Sequence, residues 1–269
     1  MPLVNISNMI NVERRKQILD ILSSEGSINT NDLSERLGVT GATIRTDLRD
    51  LAREGAIVRY HGGVRLPDHP RDEVVENYMV RSVTNIELKK QIGKQAAMLV
   101  GNGDTIFMDA SSTAFHMIPY LKNTVDVTVI TNGINTAIEL QRYNNFKSII
   151  LIGGMLRPHS GTIEGLMSRE MIMRLSAEYY FVSGNGFTAD AGLSGNNFFE
   201  LELKRSCVER SKNIVALVDS TKIGDDSASV FITPGKINYL ITDNQISKET
   251  ADYIRSKKIN LVIAEGDEL

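Results

Sequence analysis

Residues 28–64 read INTNDLSERLGVTGATIRTDLRDLAREGAIVRYHGGV, and this pattern predicts a helix-turn-helix followed by a β-hairpin. A first helix precedes the stretch, from Val12 to about Ser24, and Gly26 is expected to end it. A second helix starts at the polar residues 29–31 and stops at Gly38, because glycine readily adopts the left-handed conformation that caps helices. The stretch therefore specifies a compact unit of short helices.

The third helix of this unit has one apolar and one polar side. Thr40 is its predicted cap, and Ile44, Leu48 and Leu51 follow the spacing i, i+4, i+7 that makes one packed stripe. The outward side is left with small polar residues and arginines. A helix that reads DNA needs this layout, since it packs on its own domain while offering hydroxyls and guanidinium groups to bases and phosphates.

The hairpin after Gly55 is predicted to form the wing of a winged helix-turn-helix, with residues 56–60 as a strand, residues 61–63 as the turn, and the return strand from Val64. Its glycines are expected to permit positive φ and a close approach to phosphates. The candidate DNA-binding residues are Thr40, Ala42, Thr43, Arg45, Thr46, Arg49, Arg59, His61, Gly62, Gly63 and Arg65.

The positions of the charged residues, rather than the net charge, favour binding to nucleic acid. Residues 1–66 hold nine Lys or Arg against eight Asp or Glu, so bulk charge decides nothing. Between Thr40 and Arg65, however, there are five arginines and no lysine, and bidentate contact with guanine or phosphate selects arginine. The alternative is a plain protein-binding module whose arginines are merely solvated.

The composition indicates two domains and excludes several classes. A chain of 269 residues with 42% hydrophobic residues can bury a full core. No apolar run approaches the ~18 residues of a membrane span, and no leader pattern is present, so we expect a cytosolic protein with no membrane partner. The single cysteine, Cys207, reads as a buried thiol in a helix. The four scattered histidines predict no metal site, and no cofactor is expected.

Pro67 and Pro70 mark the domain boundary, because proline keeps a charged stretch extended. We expect a DNA-binding domain at 1–66, a linker and connecting helix at 67–84, and an effector-binding domain at 85–269. The helices after the linker, one with Val74, Val75, Tyr78 and Met79 and one from Glu87 to Val100, could dock the DNA module or pair subunits.

Beyond Gly101, short apolar runs alternate with glycine-bearing or polar turns, which is typical of strands buried on both faces between helices. This pattern predicts an α/β domain with a largely parallel sheet. The predicted strands are Asp104 to Met108, Val127 to Thr131, Ser148 to Ile152, Tyr179 to Ser183, Ile214 to Val218, Tyr239 to Thr242 and Asn260 to Ile263.

Small polar residues follow five of these strands, where ligands bind in parallel sheets. The hydroxyls and amides after the first strand suit an anion, although a simple helix cap is the alternative. A glycine-rich loop at 190–197 precedes a helix in which Glu200 and Lys204 form either a surface salt bridge or a ligand clamp. The candidate effector-binding residues are Asp109, Ser111, Ser112, Thr113, Thr131, Asn132, Gly153, Gly154, Asn185, Glu200, Lys204 and Lys222.

The order of these motifs resembles the deoxyribose-operon repressor (DeoR) family of bacterial transcription regulators, from about residue 12 to the C-terminus. The resemblance rests on Glu13, Arg14 and Arg15, the turn 33–39, Thr43 to Arg45 with Asp47 and Leu48, and Arg59 with residues 61–63. It implies a repressor of a carbohydrate operon that acts as a dimer or tetramer on double-stranded operator DNA. A phosphorylated sugar would release it, through the 109–113 loop, Thr131, Asn132, Lys204 and Lys222.

The sensor half of that family is similar in fold to ribose-5-phosphate isomerase and the glucosamine-phosphate deaminases, which makes an isomerase-like enzyme the alternative. Where the isomerase has an acidic Gly Ala Asp Glu turn, this chain has residues 184–186, Gly Asn Gly, and it lacks the Lys Gly Gly Gly element at 191–195. Asn185 cannot abstract a proton. We therefore expect no catalytic residues. A third alternative is a structural DNA-binding protein whose second domain binds nothing.

Overall fold

The computed structural model describes residues 6–60, 63–66 and 78–266, apart from the side chains of residues 6–10 and 12. The chain divides into two compact units, one up to Ile86 and one from Glu87 onwards. None of the described helices is long and apolar enough to span a bilayer.

The amino-terminal unit is a winged helix-turn-helix, as predicted. A three-stranded antiparallel sheet in the order β1-β3-β2 accompanies its helices. The elements are α1 (Ile6–Glu25), β1 (Ser27–Ile28), α2 (Thr30–Leu37), α3 (Gly41–Arg53), β2 (Val58–Tyr60), β3 (Gly63–Arg65) and α4 (Tyr78–Val83).

The predicted helix stops and caps are confirmed. Asn29 caps α2 by accepting from the amides of Asn31 and Asp32, and Gly38 ends it at φ 63°. Thr40 caps α3 through the amide of Thr43. Short polar side chains and a left-handed glycine satisfy the backbone groups that helix ends expose, so these boundaries follow from local chemistry.

Two of the boundaries that differ from the prediction have a local cause. Helix α1 begins at Ile6 rather than Val12, since neither proline nor glycine occurs between them to stop it. Strand β2 begins at Val58 rather than Ala56, because the Ala56 amide donates to the carbonyl of Leu51 at 2.8 Å and so closes the end of α3. Ala56 and the next residue are buried in the core instead of extending the wing.

Helix α4 belongs to the core of this unit. Met79, Val80 and Val83 pack against its buried cluster, and the Ser23 hydroxyl on α1 donates to the carbonyl of Val83 at 2.9 Å. Of the two roles expected for the connecting helix, docking the DNA module is therefore the one seen within this unit. The predicted linker from residue 67 and the first part of that helix, with Val74 and Val75, lie outside the described residues.

The second unit is built on a seven-stranded parallel sheet in the order β15-β14-β12-β9-β4-β5-β6. All seven predicted strands are present. They are β4 (Thr105–Met108), β5 (Val127–Thr131), β6 (Phe146–Leu151), β9 (Ala177–Val182), β12 (Ser211–Leu217), β14 (Tyr239–Thr242) and β15 (Leu261–Ile263).

Helices cover both faces of this sheet, and the core alternates between the faces. In β4, Phe107 joins one apolar cluster while Ile106 and Met108 join the other, as successive side chains of a strand must. The edge strand β6 departs from the expected burial on both faces, since Lys147, Ser148 and Leu151 are exposed. The helices are α5 (Ile86–Ala97), α6 (Ser112–Phe115), α7 (Ile134–Leu140), α8 (Leu166–Ile172), α9 (Phe198–Glu209) and α10 (Lys248–Ser256).

Two small antiparallel elements were not predicted. A three-stranded sheet in the order β10-β11-β13 includes residues 192–195, which the sequence suggested were a loop. Gly192 has φ 103°, and a Cβ there would lie 2.1 Å from the Ile232 carbonyl oxygen, so glycine is required for this pairing. The strands are β7 (Met155–Leu156) and β8 (Ile163–Glu164), which form a hairpin, and β10 (Gly186–Thr188), β11 (Gly192–Gly195) and β13 (Ser229–Ile232).

Candidate functional sites

The candidate DNA-binding residues of α3 lie together on its outer face. Ile44, Leu48 and Leu51 are fully buried, which fixes the orientation of the helix in its unit. The Thr40 hydroxyl oxygen accepts from the Thr43 amide at 3.3 Å, and Thr43 is half-buried. The exposed members of the face are Thr40, Ala42, Arg45, Thr46 and Arg49.

The acidic residues of this region are neutralised from inside the unit. Arg14 Nε lies 2.5 Å from Asp47 Oδ2, and both side chains are buried. Arg15 contacts Asp47 at 3.3 Å and Glu54 at 3.5 Å, and it also pairs with Asp50. The two arginines of α1 thus bind all three acids between Thr40 and Arg65, a structural role that the sequence pattern did not reveal.

The outward arginines are left with their charge available. Within the described residues, no carboxylate lies at ion-pair distance from Arg45, Arg49 or Arg59. All three residues are exposed. Since the neighbouring acids are already paired, this surface presents uncompensated positive charge, which is the condition for contact with a phosphate backbone.

The wing is described only in part. His61 and Gly62 lie outside the described residues, while Arg65 is half-buried and donates from Nη1 to the Leu66 carbonyl at 3.3 Å. The expectation of positive φ at Gly63 is wrong, because its φ lies outside the left-handed region. Glycine is required there for another reason. A Cβ would lie 2.6 Å from the Ile28 carbonyl oxygen on the paired strand β1.

In the second unit, the five loops singled out from the sequence follow five neighbouring strands, β12, β9, β4, β5 and β6. Because all five are parallel, their carboxyl ends meet at one edge of the sheet, which we call the rim. Gly153, Gly154 and Asn185 are exposed there. Thr131 is buried, with its hydroxyl oxygen accepting from the amide of Gly133 at 3.0 Å. Asn132 is buried as well.

Asp109 ties two of these loops together. Its Oδ1 accepts from the Ser111 amide at 3.0 Å, and its Oδ2 accepts from the Ser183 amide at 3.0 Å. Ser111 in turn caps α6, accepting from the amide of Ala114 at 3.1 Å. The following hydroxyls of Ser112 and Thr113 are buried, and Thr113 Oγ1 has no hydrogen-bond partner within the described residues.

Lys204 is turned into the protein rather than towards solvent. Its Nζ donates to the Ser183 carbonyl at 2.8 Å and lies 3.2 Å from Asp109 and 3.0 Å from Glu200. Burial lowers the pKa of the ammonium group, but the two carboxylates outweigh burial and leave the pKa raised. The Glu200–Lys204 pair is therefore not a surface salt bridge, because α9 packs the lysine inward, although 20% of the Glu200 side chain stays exposed.

Lys222 lies at the same rim but keeps 30% of its side chain exposed. Its Nζ is 3.5 Å from Asp219 Oδ2 and 3.4 Å from the Gly184 carbonyl oxygen, so both contacts are long. Burial raises the pKa of Asp219, yet Lys222, the Thr221 hydroxyl and the Lys89 ammonium outweigh it and the pKa is lowered. Of the two predicted lysines, Lys222 is thus the one whose side chain is partly exposed at the rim.

The hairpin of β7 and β8 covers the rim beside β5, and the sequence did not predict this contact. The hairpin of β7 and β8 crosses the end of β5, where the Ile163 amide donates to the Asn132 carbonyl at 2.8 Å. Glu164 is buried, and Asn197 Nδ2 donates to it at 2.9 Å from the start of α9. Glu164 and Asn197 are 33 positions apart in the sequence, so no local sequence pattern predicts their contact.

The single cysteine lies in the apolar core of the second unit. Cys207 is buried on α9, as predicted, and burial raises the pKa of its thiol, with the Asp109 charge adding to the effect. A thiol that stays protonated is a poor nucleophile.

Two family descriptions match this chain. A DeoR-like helix-turn-helix domain covers residues 14–69, and the DeoR C terminal sensor domain covers residues 84–244. The HTH-type transcriptional regulator GolR of Listeria innocua is 39% identical over 96% of this chain and 100% of its own length. The glycerol-3-phosphate regulon repressor of Escherichia coli is 31% identical over 80% of this chain and 84% of its own.

Another relative, the HTH-type transcriptional repressor GlcR of Bacillus subtilis, is 31% identical over 97% of this chain and 99% of its own length. Among solved structures, ribose 5-phosphate isomerase A from Neisseria gonorrhoeae has a TM-score of 0.39 at 11% identity, with 55% of this chain and 56% of that chain covered. That likeness is too weak to bear on function. The curated relatives are regulators and repressors, not enzymes, and they match both units. The chain is a member of the DeoR family of DNA-binding transcription regulators.

Proposed function

We propose that this regulator represses a carbohydrate-utilisation operon and that a phosphorylated sugar releases it from its operator. The observation that carries the DNA-binding half is the pairing of Asp47, Asp50 and Glu54 with α1, which leaves the outer arginines unneutralised. Repression is supported by two relatives, which are named a glycerol-3-phosphate regulon repressor and the transcriptional repressor GlcR. Residues 1–66 would bind DNA, 67–84 would connect, and 85–269 would sense the effector in the cytoplasm, where the chromosome lies.

On DNA, α3 would enter the major groove. Thr43, Arg45 and Arg49 would contact bases and phosphates, while Arg59 and the turn of the wing would hold the backbone. Two or more copies would bind successive half-sites. Loss of about a hundredfold in operator affinity on effector binding needs a coupling of ~2.7 kcal/mol, near the top of the usual allosteric range.

Arg45→Ala should weaken binding to the operator by about 1 to 3 kcal/mol, since a bidentate contact to a base or phosphate is lost. Fluorescence anisotropy with the protein's own upstream DNA measures this effect. Arg53→Ala is the matched control, because Arg53 lies on the same helix but already pairs with Asp50 at 3.3 Å. If both variants lose the same operator affinity, Arg45 contributes only through its positive charge and makes no specific contact.

The effector half of the proposal rests on the rim. A phosphate would contact the Lys222 ammonium group and the amides and hydroxyls of the loop 111–113, where Thr113 Oγ1 lacks a partner. The exposed Asn185, Gly153 and Gly154 would face the sugar. Asp109, Glu200 and Lys204 would act as positioning residues that hold the loops, together with the buried Thr131 and Asn132.

Lys222→Gln should reduce affinity for the sugar phosphate by roughly ten- to a hundredfold, as expected for loss of a charged hydrogen bond worth about 1.5–3 kcal/mol. Operator binding without effector should stay unchanged. A panel of phosphorylated sugars is first screened by thermal shift on the wild type, and the best one is titrated by calorimetry. The control is Lys212→Gln, because Lys212 lies near the start of the same strand β12, at the end away from the rim, and pairs with Glu178 at 2.7 Å.

Changing Ser112 and Thr113 to alanine together should abolish release of the operator by the sugar phosphate while leaving DNA binding intact. If no phosphorylated sugar stabilises the wild type, the sensor half of the proposal is rejected. If binding occurs but Lys222→Gln and Lys212→Gln behave alike, the phosphate lies elsewhere.

A further inference from the structure

Helix α5, the first helix after the linker, carries a buried lysine. Lys89 is only 3% exposed, and lysine is almost never buried unless its charge is compensated. Burial raises the pKa of Asp219, but the ammonium groups of Lys222 and Lys89 are among the causes that outweigh burial and lower this pKa. Asp219, which is itself fully buried, is therefore shared between the rim lysine Lys222 and a lysine of α5.

The same helix lies directly against the other part of the proposed phosphate site. Gly93 is buried on α5, and a Cβ there would lie 2.5 Å from the carbonyl oxygen of His116. His116 is the C-terminal cap of α6, the short helix that begins in the loop 111–113, and its amide donates to the Thr113 carbonyl at 3.2 Å. Because no side chain separates the two backbones, α6 cannot shift towards α5 without moving it.

The start of α5 is also where the two units are joined along the chain. Only residues 84 and 85 separate α5 from α4, which packs in the core of the DNA-binding unit. The amide and the hydroxyl of Thr84 both donate to the Val80 carbonyl, at 3.0 and 2.9 Å, and Asn85 has a left-handed φ of 54°. A joint of two residues held in this way leaves few free dihedral angles with which to absorb a movement of α5.

We propose that α5 transmits occupancy of the rim to the joint between the two units, with Lys89 as its ionic contact and Gly93 as its steric contact. The inference rests on the proposed function, since it requires a phosphate bound by Lys222 and the loop 111–113. The phosphate would draw Lys222 away from Asp219, where the contact is already long at 3.5 Å. Asp219 would then bind Lys89 more strongly, because it has lost a competing cation. Binding at the start of α6 would act on Gly93 in parallel.

The test is hydrogen exchange of the full chain in inorganic phosphate, with sodium chloride of equal ionic strength as the blank. In the wild type, phosphate should slow exchange in the loops 111–113 and 220–222, where it binds. It should also slow exchange in residues 84–93, which form the joint and the first part of α5. Contacts along a coupling path carry effects of about 2- to 30-fold, so exchange in residues 84–93 should slow by at least about twofold.

Lys89→Met separates transmission from binding. The variant should keep the protection of both loops by phosphate, because Lys222 and the loop amides remain, and it should lose most of the response in residues 84–93. Lys90→Met is the matched control. Lys90 is the next residue of α5 and forms an exposed ion pair with Glu87 at 2.7 Å, so this variant should keep both responses. Circular dichroism checks that both variants are folded.

The possible results separate this proposal from the effector site itself. Protection of the two loops with no change in α5 of the wild type would overturn transmission through α5 and leave the effector site standing. No protection anywhere would reject the effector site, and the transmission with it. A folded Lys89→Met variant whose α5 responds like the wild type, or whose loops also lose protection, would overturn the proposal as well. If Lys89→Met does not fold, the wild-type comparison decides alone.

Discussion

Asp47→Ala should destabilise the amino-terminal unit by about 3 to 5 kcal/mol, the usual cost of removing one partner from a buried ion pair. Arg14 is 8% exposed and Asp47 only 1%, so the guanidinium group would remain buried without its carboxylate. Arg15 would also lose one of its acids. Since small domains have total stabilities of about 5–15 kcal/mol, the unit would lose a large fraction of its stability, and operator binding would fail at lower denaturant concentration or temperature than in the wild type.

Chemical unfolding of the full chain, followed by circular dichroism and by operator anisotropy in parallel, measures this loss. Asp50→Ala is the control on the same helix: Asp50 also binds Arg15, but 24% of its side chain is exposed, so we expect about 1 kcal/mol or less. Arg14→Met combined with Asp47→Leu should recover most of the stability, because an apolar pair needs no compensating charge. If Asp47→Ala and Asp50→Ala lose the same free energy of unfolding, the buried Arg14–Asp47 pair contributes no more than the partly exposed pair of Asp50.

The helices of the first unit and the main sheet of the second were predictable because their signals are local. Asn29, Gly38 and Thr40 act within four residues of themselves, so the boundaries of α2 and α3 can be predicted from the sequence. The central strands are runs of apolar residues because both faces of the sheet are covered, and β5 and β14 match their predicted ranges.

Strand β11 was missed because one of its two pairings, the one with β13, is not local. Strand β11 consists of Gly192, Leu193, Ser194 and Gly195, which reads as a loop until Leu193 pairs with Ile232. A strand made of small residues has low intrinsic preference for extended structure, and its partner on the other side lies far along the chain. Only the tertiary fold supplies the reason for it.

The candidate sites, like the fold, were predictable from the sequence only in part. Parallel strands guaranteed that the polar loops would share one edge, so the rim could be located from the sequence. Burial could not be read in the same way. Lys204 and Lys222 both follow polar strand ends or loops, yet one is buried between two carboxylates while the other keeps solvent contact. Arg14 and Arg15 likewise looked like family markers, whereas their contacts make them structural.

Lys204→Met should destabilise the second unit by about 3 to 5 kcal/mol, because the long apolar side chain fills the space but leaves two carboxylates without their cation. Asp109 is 2% exposed, so its charge cannot be solvated in place. It also holds the amides of Ser111 and Ser183, and repulsion of the unpaired carboxylates would loosen those loops. Sugar-phosphate affinity should therefore fall together with stability, although Lys204 touches no ligand in this proposal.

Chemical unfolding gives the change in stability, and hydrogen exchange locates it. Faster exchange is expected in β4, β9 and α9, which meet at Lys204, and no change in α1 to α3. Lys222→Gln is the comparison, since its side chain is partly exposed and its loss should cost affinity with little stability. Adding Asp109→Asn to Lys204→Met should recover part of the loss by removing one unpaired charge. If Lys204→Met proves as stable as Lys222→Gln while sugar-phosphate binding disappears, then Lys204 contacts the phosphate directly, and the division between a positioning lysine and a binding lysine is wrong.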